Sequence, residues 1–405
     1  MPLQSRRGTH NGCVTQQKQH FKLRHLLYPV FLPSFLFSVG ESGLIPIIPA
    51  SAEAMGADIA TAGIIAGLGM LGTLLADIPA VKFINRFGER KAMIYAALAG
   101  AASILLAVFA SNIFMLSGGI LISGACMSVF GLARHGYMTE AVPLEKRARA
   151  LAFLGGTFRG GSFVGPLLGS AVVHFWGVQS VYLMTVVFAL LAGAVLLTTK
   201  PDAMRNTPPN KGHKLWHIAK RERLKLRTLG LSATALSISR TARTIGLPLW
   251  ALYIHLPVTT AALYIGIAGA LDFALFYTSG QVIDRFGRKW AAAPTLFGMA
   301  LSFFAICLVH DSSGFLLIAL ALSLSNALGS GLVMVIGADL APKDARNEFL
   351  AFFRLMNDSG QAATAPTISL LTVIFGLPIA MAGMGLVALA GAIGMWRHIS
   401  RFEIN

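Results

Sequence analysis

Two short stretches decide how this 405-residue chain folds: "VKFINRFGERK" at 81–91 and "GQVIDRFGRK" at 280–289. Each is a basic turn set between two long apolar runs. An offset of 199 aligns Ile84 with Ile283, Arg86 with Arg285, Phe87 with Phe286, Gly88 with Gly287 and Ala92 with Ala291. The same offset aligns Pro143 with Pro342, Arg147 with Arg346 and Gly161 with Gly360, and it pairs "LAF" at 151–153 with "LAF" at 350–352. One constant offset in separate regions marks an internal duplication.

The runs around these turns are too apolar for a soluble globule. The chain is 55% hydrophobic and 12% charged, against about 25% charged in an average soluble protein. A bilayer core about 30 Å thick is crossed by about 20 apolar residues in a helix. Runs of this length occur near 27–48, 60–83, 92–110, 113–139, 149–173, 178–199, 228–254, 260–283, 290–309, 313–338, 348–374 and 377–397. The expected fold is an all-α membrane protein. Twelve transmembrane helices form two parallel, pseudo-symmetric six-helix halves around a central cavity. The expected parts are a basic tail 1–26, an N-terminal half 27–199, a polar linker 200–227, a C-terminal half 228–397 and a tail 398–405. Parallel halves with a midplane site between them are one plan of secondary transporters.

The net charge of +16 would suggest nucleic acid in a soluble protein. Here 28 of the 33 Lys and Arg fall in the tails or in alternate loops, and the intervening loops hold none. This is the positive-inside bias, which places both termini and both basic turns in the cytoplasm. The membrane expected is the inner, cell membrane, with anionic headgroups as partners of the basic turns. Basic residues interleaved with base-stacking groups are lacking, so nucleic acid is not an expected partner.

The turn at 280–289 resembles the loop between helices 2 and 3 of the major facilitator superfamily. Gly280, Asp284, Arg285, Gly287, Arg288 and Lys289 fill the pattern. In the first copy Arg86, Gly88 and Arg90 remain, while Val81, Asn85 and Glu89 depart from it. A second resemblance lies in "GSFVGPLLG": Gly161, Gly165, Pro166 and Gly169 are similar to the later part of the helix 5 motif of the drug/proton antiporter branch, though Ala152 stands where an earlier glycine belongs. The resemblance implies a twelve-helix transporter whose basic loop gates the cytoplasmic side, with Asp284 carrying the latch that Asn85 cannot. The spacing of 161, 165 and 169 independently puts three small residues on one helix face, where another helix can approach closely.

Ionisable groups inside the spans are costly, and each is a functional candidate. They are Glu41, Asp77, Arg134, Arg159, Arg240, Arg243, Asp272, Arg354 and Asp358. Glu41, Asp272 and Asp358 are the candidate proton carriers, Glu41 first because it is the sole acid of the first span and lies near mid-depth. Arg134, Arg159, Arg240, Arg243, Trp250, Tyr253 and Asn326 are candidate cavity residues. Arg159 and Asp358 occupy equivalent positions at offset 199 and could form a charge pair between the halves. Arg240 and Arg243 could neutralise Glu41 or Asp272, or could form a cationic patch for an anionic group.

Other classes fit poorly. No phosphate-binding glycine loop of the Walker type is present, which argues against an ATP-driven pump. The three cysteines are far apart, the histidines are scattered, and neither makes a metal or disulfide pattern. No cofactor, metal or enzymatic activity is expected. The sequence reads as a monomeric, proton-coupled exporter of a small organic molecule. A proton-coupled symporter or facilitator for an organic anion is the alternative.

Overall fold

A computed structural model describes residues 26–199 and 215–402. Among them the chain is helix joined by short turns and bends, with no strand. The long helices are α1 (Leu27–Ala54), α2 (Ile59–Phe87), α3 (Glu89–Val108), α4 (Ile113–Ala141), α5 (Leu144–Trp176) and α6 (Gln179–Leu197). A short linker helix, Leu215–Arg221, precedes α7 (Leu231–Tyr253), α8 (Val258–Phe286), α9 (Arg288–Leu308), α10 (Ser312–Leu340), α11 (Arg346–Phe375) and α12 (Leu377–His398). The tail 1–25, the linker stretch 200–214 and residues 403–405 lie outside the described residues.

Among the described residues, nine of these segments are long and apolar enough to cross a membrane. The other three long helices are α5, α7 and α11. These carry Arg159, Arg240 with Arg243, and Arg354 with Asp358. They are less apolar because one face of each turns polar groups inward. The outer surface is the reverse, with Ile78 70% and Phe114 88% exposed. A monomeric soluble protein rarely leaves so much apolar surface in water; lipid is its natural solvent.

Helix ends follow local chemistry. Asp58 and Asn112 accept hydrogen bonds from the backbone N–H of Thr61 and Met115, each at 2.9 Å, and so cap α2 and α4. The tight reversals between α2 and α3, and between α8 and α9, pass through Gly88 and Gly287 at φ +80° and +81°, a region that favours glycine. These are the two glycines of the repeated turn.

The duplication reaches packing as well. In the first half α1 packs on α5 and α6, α4 on α2 and α3, and α3 on α6. In the second, α7 packs on α11 and α12, α10 on α8 and α9, and α9 on α12. Ser38 Oγ donates to the Phe158 carbonyl (2.9 Å), joining α1 to α5. At offset 199, Ser237 Oγ bonds Asn357 Oδ1 (2.8 Å), joining α7 to α11. Between the halves, α2 packs on α11 and α5 on α8.

The glycines of "GSFVGPLLG" have a plain structural use. A Cβ at Gly161 would strike Ser38, and one at Gly165 would strike the backbone at Val39 and Gly43. The small-residue face of α5 therefore seats α1 within one half. Pro166, beside it, lines the cavity.

Candidate functional site

A cavity of about 360 Å³ lies between the halves. From the first half it is walled by Glu41, Ser123, Arg159 and Pro166, and from the second by Arg243, Asp272 and Asn326. Much of the remaining wall is apolar, including Ile48, Ile104, Ile120, Leu247 and Ile265. A second recess of about 160 Å³ shares Met70, Arg159, Arg243, Thr244 and Asn326 with it and adds Arg240 and Gln361.

The halves meet tightly at the end opposite the basic turns. There Gly63 and Gly67 of α2 leave no room for a Cβ against Ser369 and Ala365 of α11. Gly266 of α8 does the same against Leu167 of α5, and a Cβ at Gly269 would press on Phe163 at 3.1 Å. Toward the basic end the contact is looser: Arg354 Nη2 lies 3.8 Å from Asp77 Oδ1, and the Arg354 side chain is 55% exposed.

Apart from Arg134, the charges fall into three groups. Asp272 is the hub of the first. Arg159 Nη1 donates to its Oδ1 (3.0 Å), Asn326 Nδ2 contacts both oxygens (3.0 and 2.9 Å), and Arg243 Nη2 stands 3.7 Å from Oδ2. Arg240 is tied in through Asn326: its Nε donates to Asn326 Oδ1 (2.9 Å) and its Nη2 to the Gly329 carbonyl (2.6 Å). The Arg159 guanidinium also lies over the Phe276 ring, 5.0 Å from its centroid.

Glu41 is the second group, alone. Its Oε1 accepts from Ser123 Oγ at 2.8 Å, and among the described residues no basic side chain stands within ion-pair distance. The third group is Asp77, Arg354 and Asp358. Arg354 Nε bonds Asp358 Oδ2 (3.2 Å), one turn along α11, and Ser128 Oγ donates to Asp77 Oδ1 (2.5 Å).

Several sequence expectations need correction here. Arg159 and Asp358 do not pair. Across the halves α5 packs on α8, which carries Asp272, whereas α11 packs on α2; equivalent positions in two halves are not neighbours. Asp358 is bound instead by Arg354 and Gln361 and lines neither recess. Arg243 neutralises Asp272, and neither Arg240 nor Arg243 reaches Glu41. Trp250 and Tyr253 are off the cavity. They sit at the far end of α7, where Trp250 is fully buried, donates to the Val309 carbonyl (3.1 Å) and packs on the Tyr253 ring. Arg134 also lies outside both recesses, with its guanidinium 5.5 Å from the Phe158 ring centroid.

The turn motifs brace helix ends. Arg90 donates to the Leu196 and Leu197 carbonyls and to Thr199 Oγ1, each at 2.9 Å, so it holds the last turn of α6. Its counterpart Lys289 lies 4.0 Å from the centroid of the Trp396 ring on α12. Arg86 and Arg285 each lie 5.5 Å from the centroid of the following phenylalanine, Phe87 and Phe286. Arg288 Nε pairs with Asp339 Oδ2 at 2.6 Å. Gly280 and Asp284 fall in the last turns of α8, and their surroundings lie outside the described residues.

Sequence reasoning passed over Ser123 and Ser323, which hold Glu41 and Arg243. The signal available was a hydroxyl inside an apolar run, which is too common to single out. It also passed over a further match at offset 199: Glu41 corresponds to Arg240.

A bundle of apolar helices around a charged cleft is an arrangement that suits a membrane transporter. The chain belongs to the Major Facilitator Superfamily, whose sequence model matches residues 30–365 and 229–403. It is 20% identical over 370 residues to an uncharacterized MFS-type transporter of Methanocaldococcus jannaschii, covering 88% of this chain and 93% of that one. It is 24% identical over 266 residues to the multi-drug resistance efflux pump PmrA of Streptococcus pneumoniae, covering 63% and 65%. Among solved structures, a D-xylose-proton symporter superposes with TM-score 0.76 at 16% identity, covering 95% of this chain and 100% of that chain. A bacterial homolog of the human lysosomal transporter Spinster, in an inward-facing and unoccupied conformation, gives 0.77 at 13% identity, covering 94% and 97%.

Proposed function

We propose that the chain is a secondary active transporter that moves a small organic molecule by alternating access and couples its export to protons. In this reading twelve helices cross the membrane in two pseudo-symmetric halves. The termini and basic turns face the cytoplasm, and the monomer is the working unit. The efflux-pump relatives support the direction. The distribution of Lys and Arg supports the orientation. The turn at 280–289, with Asp284, serves as part of the cytoplasmic gate.

The observation that carries the coupling is Glu41. A carboxyl on the cavity wall, held by one serine hydroxyl and no cation, gains or loses a proton without breaking an ion pair. Asp272 is less suited, because protonating it would strand the arginines around it. Glu41→Gln tests the proposal in proteoliposomes. Substrate exchange survives, whereas accumulation driven by a pH gradient is lost. Persistence of proton-driven accumulation in that variant excludes Glu41 as the carrier. For orientation, single cysteines in 200–227 and 255–259 react from opposite sides of the membrane; labelling from one side rules out the twelve-span topology.

A second reading, a proton-coupled symporter or facilitator for an organic anion, is favoured by the arginines around Asp272. The sign of the proton flux that accompanies inward substrate movement separates the two.

A further inference from the structure

The charge count of the cavity wall does not close. Among the described residues, Arg159, Arg240 and Arg243 bring three cations to a cluster whose one carboxylate is Asp272. Glu41 shares the cavity but is paired with none of them. Uncompensated cations in a low-dielectric wall are costly, so the excess calls for an anion.

The geometry says where that anion sits. Arg240 and Arg243 are three residues apart on α7, which puts both on one helix face. A guanidinium has five N–H donors in a fixed fork. Among the described residues Arg240 uses Nε on Asn326 and Nη2 on Gly329, so Nη1 has no protein acceptor. Arg243 uses Nη1 on Ser323 and holds Asp272 only at 3.7 Å, and its Nε has no protein acceptor. Both line the smaller recess. Asn326 braces the arrangement by accepting from Arg240 while donating to Asp272. The recess opens into a larger space walled by Ile48, Ile104, Ile120, Leu247 and Ile265.

We infer that the transported compound is an amphipathic organic anion, with a carboxylate held by Arg240 and Arg243 and an apolar body lying along that aliphatic wall. The inference rests on the transporter reading and holds for either direction of coupling. Arg240 Nη1 and Arg243 Nε can each donate a charge-assisted hydrogen bond to one carboxylate. An amine of the same size would add a fourth cation to the cluster.

Fluorine NMR on the full chain in uncharged detergent tests this with three probes of one shape: 4-(trifluoromethyl)benzoate, the matching benzamide and the matching benzylamine. The benzoate resonance broadens and saturates; the amide and amine do not. Arg240→Gln weakens benzoate binding at least about tenfold, the scale of one lost charge-assisted hydrogen bond. Arg240→Lys restores part of it, which a merely misfolded variant would not do. Arg354→Gln, on a residue outside both recesses, leaves it unchanged. No binding of the benzoate, equal binding of the amide or amine, or benzoate binding indifferent to Arg240→Gln overturns the inference. Proton flux in proteoliposomes keeps the two readings apart. Flux driven by the amine would leave a transporter whose substrate is not an anion.

Discussion

The two halves share a helix frame and differ in what they put on it. Position 41 is Glu in the first half, and its counterpart 240 is Arg; 159 is Arg, and 358 is Asp; 73 is Thr, and 272 is Asp. Helix pairings and the serine ties at Ser38 and Ser237 recur on both sides. The first half therefore presents one lightly held carboxyl, Glu41, while the second presents a braced carboxylate, Asp272, embedded among arginines. Packing constrains small and apolar positions because a misfit there costs energy in either half. At the cavity the equivalent positions 41 and 240, 159 and 358, and 73 and 272 differ in charge.

The largest break in this comparison comes at Asp272. Asp272→Ala leaves Arg159 and Arg243 without their carboxylate, and removing one partner of a buried ion pair costs about 3 kcal/mol or more. Thermal unfolding in detergent should show that loss, and transport should vanish. Arg159→Met with Asp272→Leu should recover much of the stability and none of the transport. If the double variant transports, the cluster is scaffolding only.

The next contrast is steric. Gly67 and Gly266 are equivalent positions, and each sits where the halves meet at the end opposite the basic turns. A Cβ at Gly67 would overlap the Cβ of Ala365, which cannot turn aside. A Cβ at Gly266 would meet Leu167 mainly through its side chain, which can rotate away in part. Gly67→Ala should therefore hold that end open more strongly than Gly266→Ala, by about 1–3 kcal/mol of overpacking. Reactivity of a cysteine placed at Ser42, on the cavity wall, reads the difference from either side of the membrane. Equal reactivity in the two variants would mean that α11 yields as readily as Leu167.

How far this was legible in the sequence depends on the kind of residue. The apolar spans were readable because apolar length is a one-dimensional signal. Each of Arg159, Arg240, Arg243, Asp272 and Asn326 was a candidate by sequence, but their gathering around Asp272 is seen only in the structure. Pairing was not readable. Arg159 finds Asp272 rather than Asp358 because α5 faces α8, and which helix faces which is set in three dimensions. Trp250 is a candidate cavity residue by sequence, yet it is fully buried off the cavity and its indole N–H donates to the Val309 carbonyl.

A smaller effect separates the two carboxyls themselves. Ser123→Ala removes the Ser123 hydrogen bond to Glu41 and should cost about 1 kcal/mol, the net worth of a typical hydrogen bond. Ser323→Ala, at Arg243, should cost less, since Asp272 still stands beside that guanidinium. The consequence specific to Ser123→Ala is a shifted pH dependence of transport, because the hydroxyl donates to the ionised form. An unshifted pH profile would remove Ser123 from the coupling device.

The smallest expected effect lies where the halves begin α2 and α8. Asp58 caps α2, and the equivalent position before α8 is Pro257. The side-chain hydrogen bond with Thr61, followed by the bond from the Thr61 backbone N–H, holds the Asp58 carboxyl below the usual carboxylate range. A carboxyl whose folded value is depressed lends stability that is present above its unfolded value near pH 4 and is lost as pH falls through the folded value. Asp58→Ala should cost about 1 kcal/mol or less at neutral pH, as for other exposed N-caps. Asp58→Asn should keep most of the cap, since its amide oxygen still accepts from Thr61, while losing the pH term. Unfolding of the wild type and the Asn variant should therefore agree near neutral pH and change differently below pH 4. No counterpart of this acid-sensitive step is expected from Pro257→Ala, because proline offers no side-chain acceptor to lose. If Pro257→Ala abolished the acid-dependent loss as fully as Asp58→Asn, the term would belong to other carboxylates and not to the cap that distinguishes the two halves.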